Sequence, residues 1–347
     1  MTDTLKTLCY LSGVSGAEDE TRDYILERAM PEADEISTDA LGNVSVYKHG
    51  EKSKGPHIML CAHMDEVGLI ITGADDGGFL RFETTGGTDR RVLPGKRVYV
   101  GPDRIPGVIC MEIKRPADKD ERKKMPQTDD MFIDVGADKK SRAEELINPG
   151  CAAVFDDGIV EFGDGFIKAK ALDDRIGCAI MLKLLEEDLP CGCRFIFTVQ
   201  EELGARGAKT AAFTAAPEIA LILEGTSAND FPNIGKAEQI CGVGGGVVIP
   251  FADKSAVYDK GLYDLLTELA DKNNIKRQTK RKVTGGTDAA AVIHSRAGVR
   301  TAAVSVAIRN IHSPACVAKI SDIEDAFLLT RLFLETAGEI DTGEGQR

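Results

Sequence analysis

Five short stretches of this chain carry side chains that could do chemistry together. They are His63 and Asp65 in CAHMDEVG, Asp173 and Asp174 in KALDDRIG, Glu201 and Glu202 in TVQEELGA, Glu224 in LILEGT, and His312 in RNIHSP. Imidazoles mixed with carboxylates are donors that divalent metals accept. A two-metal site wants one carboxylate shared between the ions, plus a histidine and a second carboxylate for each. Asp173 is the candidate bridge. His63 and Glu224 would complete one shell, and Glu202 and His312 the other. Asp65, two residues beyond His63, is placed to accept the other imidazole N–H and fix the tautomer. Glu201 is then left over, and a carboxylate beside the metals but not bound to them can take a proton from an attacking water. Adjacent glutamates repel and lose solvation when packed, so cations would also offset a real cost.

These residues are far apart in sequence, so the fold must bring them together. In open α/β sheets, ligands bind beyond the carboxyl ends of the strands. HIMLCA ends at His63, RFIFTVQ at Glu201-Glu202 and IALIL at Glu224, while TAAVSVAI leads through a short loop to His312. DDRIGCAIMLKLLEEDL spaces Ile176, Ile180 and Leu184 by four, which predicts an amphipathic helix opening with Asp173 and Asp174. Alone, such an acid pair reads as a helix cap. At the other chain end, Ser15 and Glu18 have capping-box spacing ahead of a helix over DETRDYILERAM. ALGNVSVYKHG alternates as a strand, and helices are expected at KGLYDLLTELADKNN and from Ile320 to Gly338. From about residue 68 to 162 the texture changes to short apolar runs punctuated by Gly, Pro and Asp, the pattern of a small β-barrel. Within it, KRPADKDERKKMPQTDD reads as a polar loop tip.

Composition narrows the function. The 347 residues carry a formal charge of −13 with no tryptophan, which disfavours phosphate backbones and anionic membranes. The basic runs at Lys114-Arg115, Arg122-Lys123-Lys124 and Lys280-Arg281-Lys282 are short and read as solvated faces. The opening MTDTLKTLCYLSGVSG lacks the form of a signal peptide, and no apolar run approaches membrane-spanning length. The 9 cysteines, among them Cys61, Cys110, Cys178 and Cys241, read as reduced, buried thiols of a cytoplasmic protein. CGVGGGVVI lacks the lysine–serine pair of a phosphate loop. His49, His57 and His294 read as structural, His294 within a helix. Asp288 reads as a cap at least as readily as a neighbour of the site. Arg90, Arg91 and Arg309 read as exposed arginines rather than an anion pocket.

The stretches CAHMDEVGLII, KALDDRIGC, TVQEELGARGA, GGTDAAA and RNIHSPACV, in that order over nearly the whole chain, resemble the tetrahedral, glutamyl-aminopeptidase-like family of dinuclear metallopeptidases. The resemblance implies an α/β fold with a mixed sheet sandwiched between helices, formed by residues 1–67 and 163–347. The β-barrel at 68–162 would be an inserted assembly domain. It implies a metal-dependent hydrolase that releases N-terminal residues from short peptides, using two divalent ions per subunit: zinc first, with cobalt or manganese as alternatives. His63, Asp173, Glu202, Glu224 and His312 stand as its metal ligands, Glu201 as the general base and Asp65 as the group that orients His63. Members assemble as dimers and hollow dodecamers, so further copies of the chain are expected partners.

One departure is Glu224, where many members have aspartate. The extra methylene changes reach and denticity, with Asp230 as a weaker substitute. Some relatives are labelled endoglucanases, but a glycosidase wants two opposed carboxylates without metals. Two other readings use the same residues: an amidase or deacylase acting on N-acylated amino acids, and a catalytically inactive peptide-binding assembly.

Overall fold

The structure, a computed structural model, describes residues 1–52, 55–111, 125–156, 158–338 and 340. The two basic runs between Lys114 and Lys124, and most of the polar loop tip around them, lie outside the described residues.

An eight-stranded mixed sheet forms the base. At its centre, Cys193–Thr198, Ile58–His63, Ile219–Ser227 and Arg300–Ile308 run parallel side by side. Val44–Lys48 joins antiparallel on one side and Val247–Ile249 on the other. The parallel strands are apolar without alternation because both faces are covered. Side chains along Ile58–His63 divide by the two-residue period of a strand. Ile58, Leu60 and Ala62 enter a core shared with helices Thr2–Tyr10, Asp19–Ala29, Leu172–Leu185, Lys260–Lys272 and Ile320–Ala337. Met59 and Cys61 face an alanine-rich core under helices Arg206–Ala215 and Ala289–Val292. A mixed sheet between two helical layers is the expected fold class.

The Leu172–Leu185 helix departs from expectation. Ile176 through Leu182 are all buried, so it is a central helix wrapped on every side, not an amphipathic one. Helices from the N-terminus and the C-terminus cover the face that the spacing had left for solvent.

The β-rich region closes as a barrel in the order Ala152–Phe155, Gly68–Ala74, Leu80–Thr85, Met131–Asp134, Ile105–Met111 and Arg97–Val100. Its interior is a separate apolar core including Leu69, Ile71, Phe82, Val98, Ile109 and Phe155. Val160–Phe162 lies outside the barrel and pairs with Phe166–Ala169, which in turn pairs with Cys316–Lys319. All nine cysteines are free thiols; Cys110 and Cys151 are half-buried and the rest are buried. His294 sits in the turn after Ala289–Val292, not within the helix.

Candidate metal centre

His63 is the last residue of its strand, in register with Thr198 at the end of the neighbouring parallel strand. Glu201 and Glu202 follow Thr198 after a turn in which Gln200 is left-handed (φ 54°). Glu224 is not at a strand end as expected. Its strand continues to Ser227, so the carboxylate projects from within the sheet. Asp173 and Asp174, joined by a cis peptide bond, have non-helical backbone, and regular helix begins after them. Asp174 caps that helix, its Oδ1 accepting from the Gly177 N–H at 2.9 Å, while Asp173 makes no such bond. His312 lies on the loop after Arg300–Ile308, also left-handed (φ 58°). Such backbone is uncommon for non-glycine residues and clusters at functional sites.

The five proposed ligands converge. His63 Nε2 is 3.5 Å from Asp173 Oδ1 and 3.2 Å from Glu224 Oε1. His312 Nε2 is 3.4 Å from Asp173 Oδ2 and 3.2 Å from Glu202 Oε1. The ligand atoms of His63, Asp173 and Glu224 lie within 4.8 Å of one another, as do those of Asp173, Glu202 and His312, and each group could hold a metal ion. Asp173 belongs to both, one oxygen toward each histidine. The chemistry of this donor set fits a divalent ion, and so does its unmet bonding. His63 Nε2, Asp173 Oδ1 and Glu224 Oε2 are buried with no hydrogen-bond partner, a costly arrangement unless another group satisfies them. Glycine is required beside Asp173, because a β-carbon on Gly225 would lie 2.5 Å from Asp173 Oδ1. The segment after strand Leu80–Thr85 also reaches the centre: a β-carbon on Gly87 would lie 2.9 Å from His312 Nδ1.

The surrounding residues hold this geometry. His63 Nδ1 is 3.1 Å from the main-chain oxygen of Asp65 and 3.5 Å from its carboxylate. The carboxylate itself accepts from the Glu201 and Glu202 N–H groups and from Ser15 Oγ. Ser15 and Glu18 do not form the expected capping box. The helix starts without a side-chain cap, and the Glu18 carboxylate accepts from the Gly16 and Gln200 N–H groups. Behind Asp173, Glu66 takes Lys170 Nζ at 2.7 and 2.8 Å and the Arg175 guanidinium at 3.1 Å, all buried. Arg175 also donates to Leu8 O and Thr21 Oγ1, and Lys170 to Leu11 O. Asp288 does not cap its helix either. Its carboxylate is buried and accepts from Thr198 Oγ1 and Cys61 Sγ beneath the paired glutamates.

Electrostatics follow from packing carboxylates together. Burial raises Glu201, Glu224 and Asp174 well above the ordinary carboxylate range, Glu202 to about 7 and Asp288 to about 6. Burial opposes charge on His63, but Glu224, Asp173 and Asp65 outweigh it and hold the imidazole well above its usual value. The same balance lifts His312 to about 9, with Asp173 and Glu202 supplying the attraction. Asp173 moves the other way, because its two histidines outweigh burial.

The centre opens into a cavity of about 220 Å³ that Glu201, Tyr258, Lys280, Thr284 and Ile311 also line. Lys280, read as a solvated residue, is buried there and donates to Thr284 O. A larger hollow of about 590 Å³ lies near the other ends of the strands, by His49, His57 and Arg194. It contains none of the ligand set, so chemistry rather than size identifies the site. Asp230 is engaged by Arg309 at 2.7 and 2.8 Å and is no substitute ligand. Arg90 and Arg91 bond to Gln127 and Asp89.

Known proteins resemble this chain over most of its length. The sequence pattern of the M42 glutamyl aminopeptidase family matches residues 42–329. A protein of Acetivibrio thermocellus, described provisionally as an aminopeptidase, is 39% identical over 95% of this chain and 97% of its own. The aminopeptidase APDkam598 from the archaeon Desulfurococcus kamchatkensis superposes with a TM-score of 0.91 at 36% identity, covering 97% of this chain and 94% of that one. The TET1 peptidase of Pyrococcus horikoshii, which can assemble into a tetrahedron or a large octahedral shell, superposes with a TM-score of 0.83 at 32% identity, covering 96% and 98%. With the family pattern spanning most of its length, this chain belongs to the M42 glutamyl aminopeptidase family.

Proposed function

We propose that this chain is a two-metal aminopeptidase in which His63, Asp173 and Glu224 hold one ion and Asp173, Glu202 and His312 the other. Its family makes it a metal-dependent hydrolase that removes N-terminal residues from peptides. The observation that carries the two-metal reading is Asp173, whose two oxygens face two histidines on opposite sides. Bound there, divalent ions would supply Lewis acidity toward the scissile carbonyl and charge compensation for the carboxylates. Glu201 lines the same cavity and belongs to neither ligand group. We assign it as general base: it takes the proton of the attacking water and returns it to the departing amine. Asp65 orients this apparatus through its contacts to His63, Glu201 and Glu202.

Zinc suits the nitrogen and oxygen donors best, with cobalt or manganese as working alternatives. The longer Glu224 reaches His63 at 3.2 Å, so its carboxylate serves where an aspartate would otherwise stand. Residues 1–67 and 163–347 form the catalytic domain in this reading. The insert at 68–162 serves assembly, with the barrel proper ending at Phe155. The shells formed by the TET1 relative support a homo-oligomer, dimer-based and up to a dodecamer. Among the described residues no helix is long and apolar enough to cross a membrane. Nine free thiols support a reducing, cytoplasmic setting.

A panel of fluorogenic amino-acid amides, with free and acylated amines, assayed with each metal tests this function. Cleavage of free-amine substrates on adding zinc, cobalt or manganese is expected. Cleavage confined to blocked substrates would make the chain a deacylase. No cleavage together with no stoichiometric metal would leave an inactive binder.

A further inference from the structure

The N–H groups of Gln200, Glu201 and Glu202 are consecutive donors, and each meets a carboxylate from elsewhere in the chain. Glu18 Oε1 accepts from Gln200 at 3.2 Å, Asp65 Oδ1 from Glu201 at 2.9 Å and Asp65 Oδ2 from Glu202 at 3.2 Å. Successive amides turned to one side make an anion-binding concavity, and here the protein's own acids fill it. The turn needs holding, because Gln200 is left-handed, a conformation that disfavours any residue with a β-carbon.

Glu18 is itself fixed. The oxygen that accepts from Gln200 also accepts from Gly16 N at 2.8 Å, and the residue is only 6% exposed. Ser15 Oγ donates to Asp65 Oδ2 at 2.6 Å. This segment is tied to the His63 end of the site, with Ser15 N on Glu66 O and Glu66 N on Gly13 O. Residues 13–18 themselves precede the family pattern, which begins at residue 42.

We propose that Glu18 is a positioning residue for Glu201: by accepting the Gln200 N–H it holds the turn that aims the Glu201 carboxylate into the cavity, and Ser15 supports the same turn through Asp65. The inference rests on the reading of Glu201 as general base. Its basis is hydrogen-bond geometry, so a glutamine, whose side-chain oxygen can accept the same bonds, should substitute for Glu18.

The test compares zinc-loaded wild type, Glu18→Ala, Glu18→Gln and Ser15→Ala. It uses the free-amine amide that the wild type cleaves best, together with hydrogen exchange of peptides covering residues 197–204. Glu18→Ala is expected to lose at least tenfold in kcat with KM within twofold, and its Gln200 amide to exchange faster. Glu18→Gln should recover kcat to within threefold and regain the protection. If Glu18→Ala does not fold, Ser15→Ala should show the same split with a smaller loss. Wild-type kcat in the alanine variants, unchanged exchange, or a glutamine variant as slow as alanine would each overturn the proposal. A wild type that cleaves no free-amine substrate would instead defeat the aminopeptidase reading, and the exchange data would still decide whether Glu18 holds the turn.

Discussion

The carboxylate of Asp173 rests directly on Gly225, which immediately follows the proposed ligand Glu224. A β-carbon on Gly225 would lie 2.5 Å from Asp173 Oδ1 and 2.9 Å from its Cγ. Gly225→Ala must therefore push the shared carboxylate away from one histidine or strain the sheet, at a cost of about 1–3 kcal/mol. We expect metal affinity to fall by about tenfold or more, since each tenfold corresponds to ~1.4 kcal/mol. Competition against a chromogenic chelator measures it. Unchanged affinity would mean that Asp173 tolerates displacement and does not bridge.

Glu201→Gln keeps the shape of the side chain and removes its basicity. The variant should bind metal like the wild type by elemental analysis and lose at least ~100-fold in turnover, the low end for removing a general base. Near-normal turnover would remove Glu201 from the mechanism.

The metal-free protein should lose stability as pH rises. Glu202 and Glu18 are raised to about 7 by burial, so the folded state holds their protons while the unfolded state, titrating near ~4.3, has released them. Stability therefore falls as pH climbs from the unfolded value to about 7. His312, raised to about 9, acts with the same sign: its stabilisation is complete below the unfolded value of ~6.5 and is lost as pH rises toward 9. Metal binding favours deprotonated ligands, so it strengthens over the same range. The Tm gap between loaded and chelated protein should widen from pH 5 to pH 8 in parallel thermal melts. A constant gap would contradict the assigned ligand set.

Glu66 neutralises two buried cations at once, Lys170 and Arg175. Glu66→Gln leaves both without their anion and should destabilise by about 3–5 kcal/mol. Lys170→Met leaves a one-to-one pair of Glu66 with Arg175 and should cost clearly less. Urea denaturation of the chelated proteins separates the two, and equal losses would show that charge balance is not what this cluster provides.

Much of the centre could be read from residue order, because apolar strands that stop at histidines or acids announce a shared rim. His63, Glu201, Glu202 and His312 were legible in that way. Glu224 comes to the same centre but from within its strand rather than at the strand's end, since a continuous apolar run gives no sign of where pairing stops. Ser15 and Glu18 have the spacing of a helix start, and local spacing does not reveal that Ser15 is taken by Asp65 and Glu18 by the turn at Gln200, some 180 residues away. Asp288 resembled a cap for the same reason. Lys280 sat in a basic triplet that reads as surface, and only the folding of its loop over the cavity buries it. The helix after Asp174 looked amphipathic because periodicity registers spacing but not how many neighbours eventually surround a helix.

The insert meets the proposed centre where Gly87, in the segment after strand Leu80–Thr85, lies against His312, and the polypeptide enters the barrel at Gly68, five positions past His63. Both imidazoles are thus coupled to the inserted body, one through continuous backbone and one by direct packing. A displacement of that insert would therefore reach both histidine rings without an intervening linker. In the proposed assembly, a load applied by neighbouring copies would then alter how the two imidazoles face Asp173.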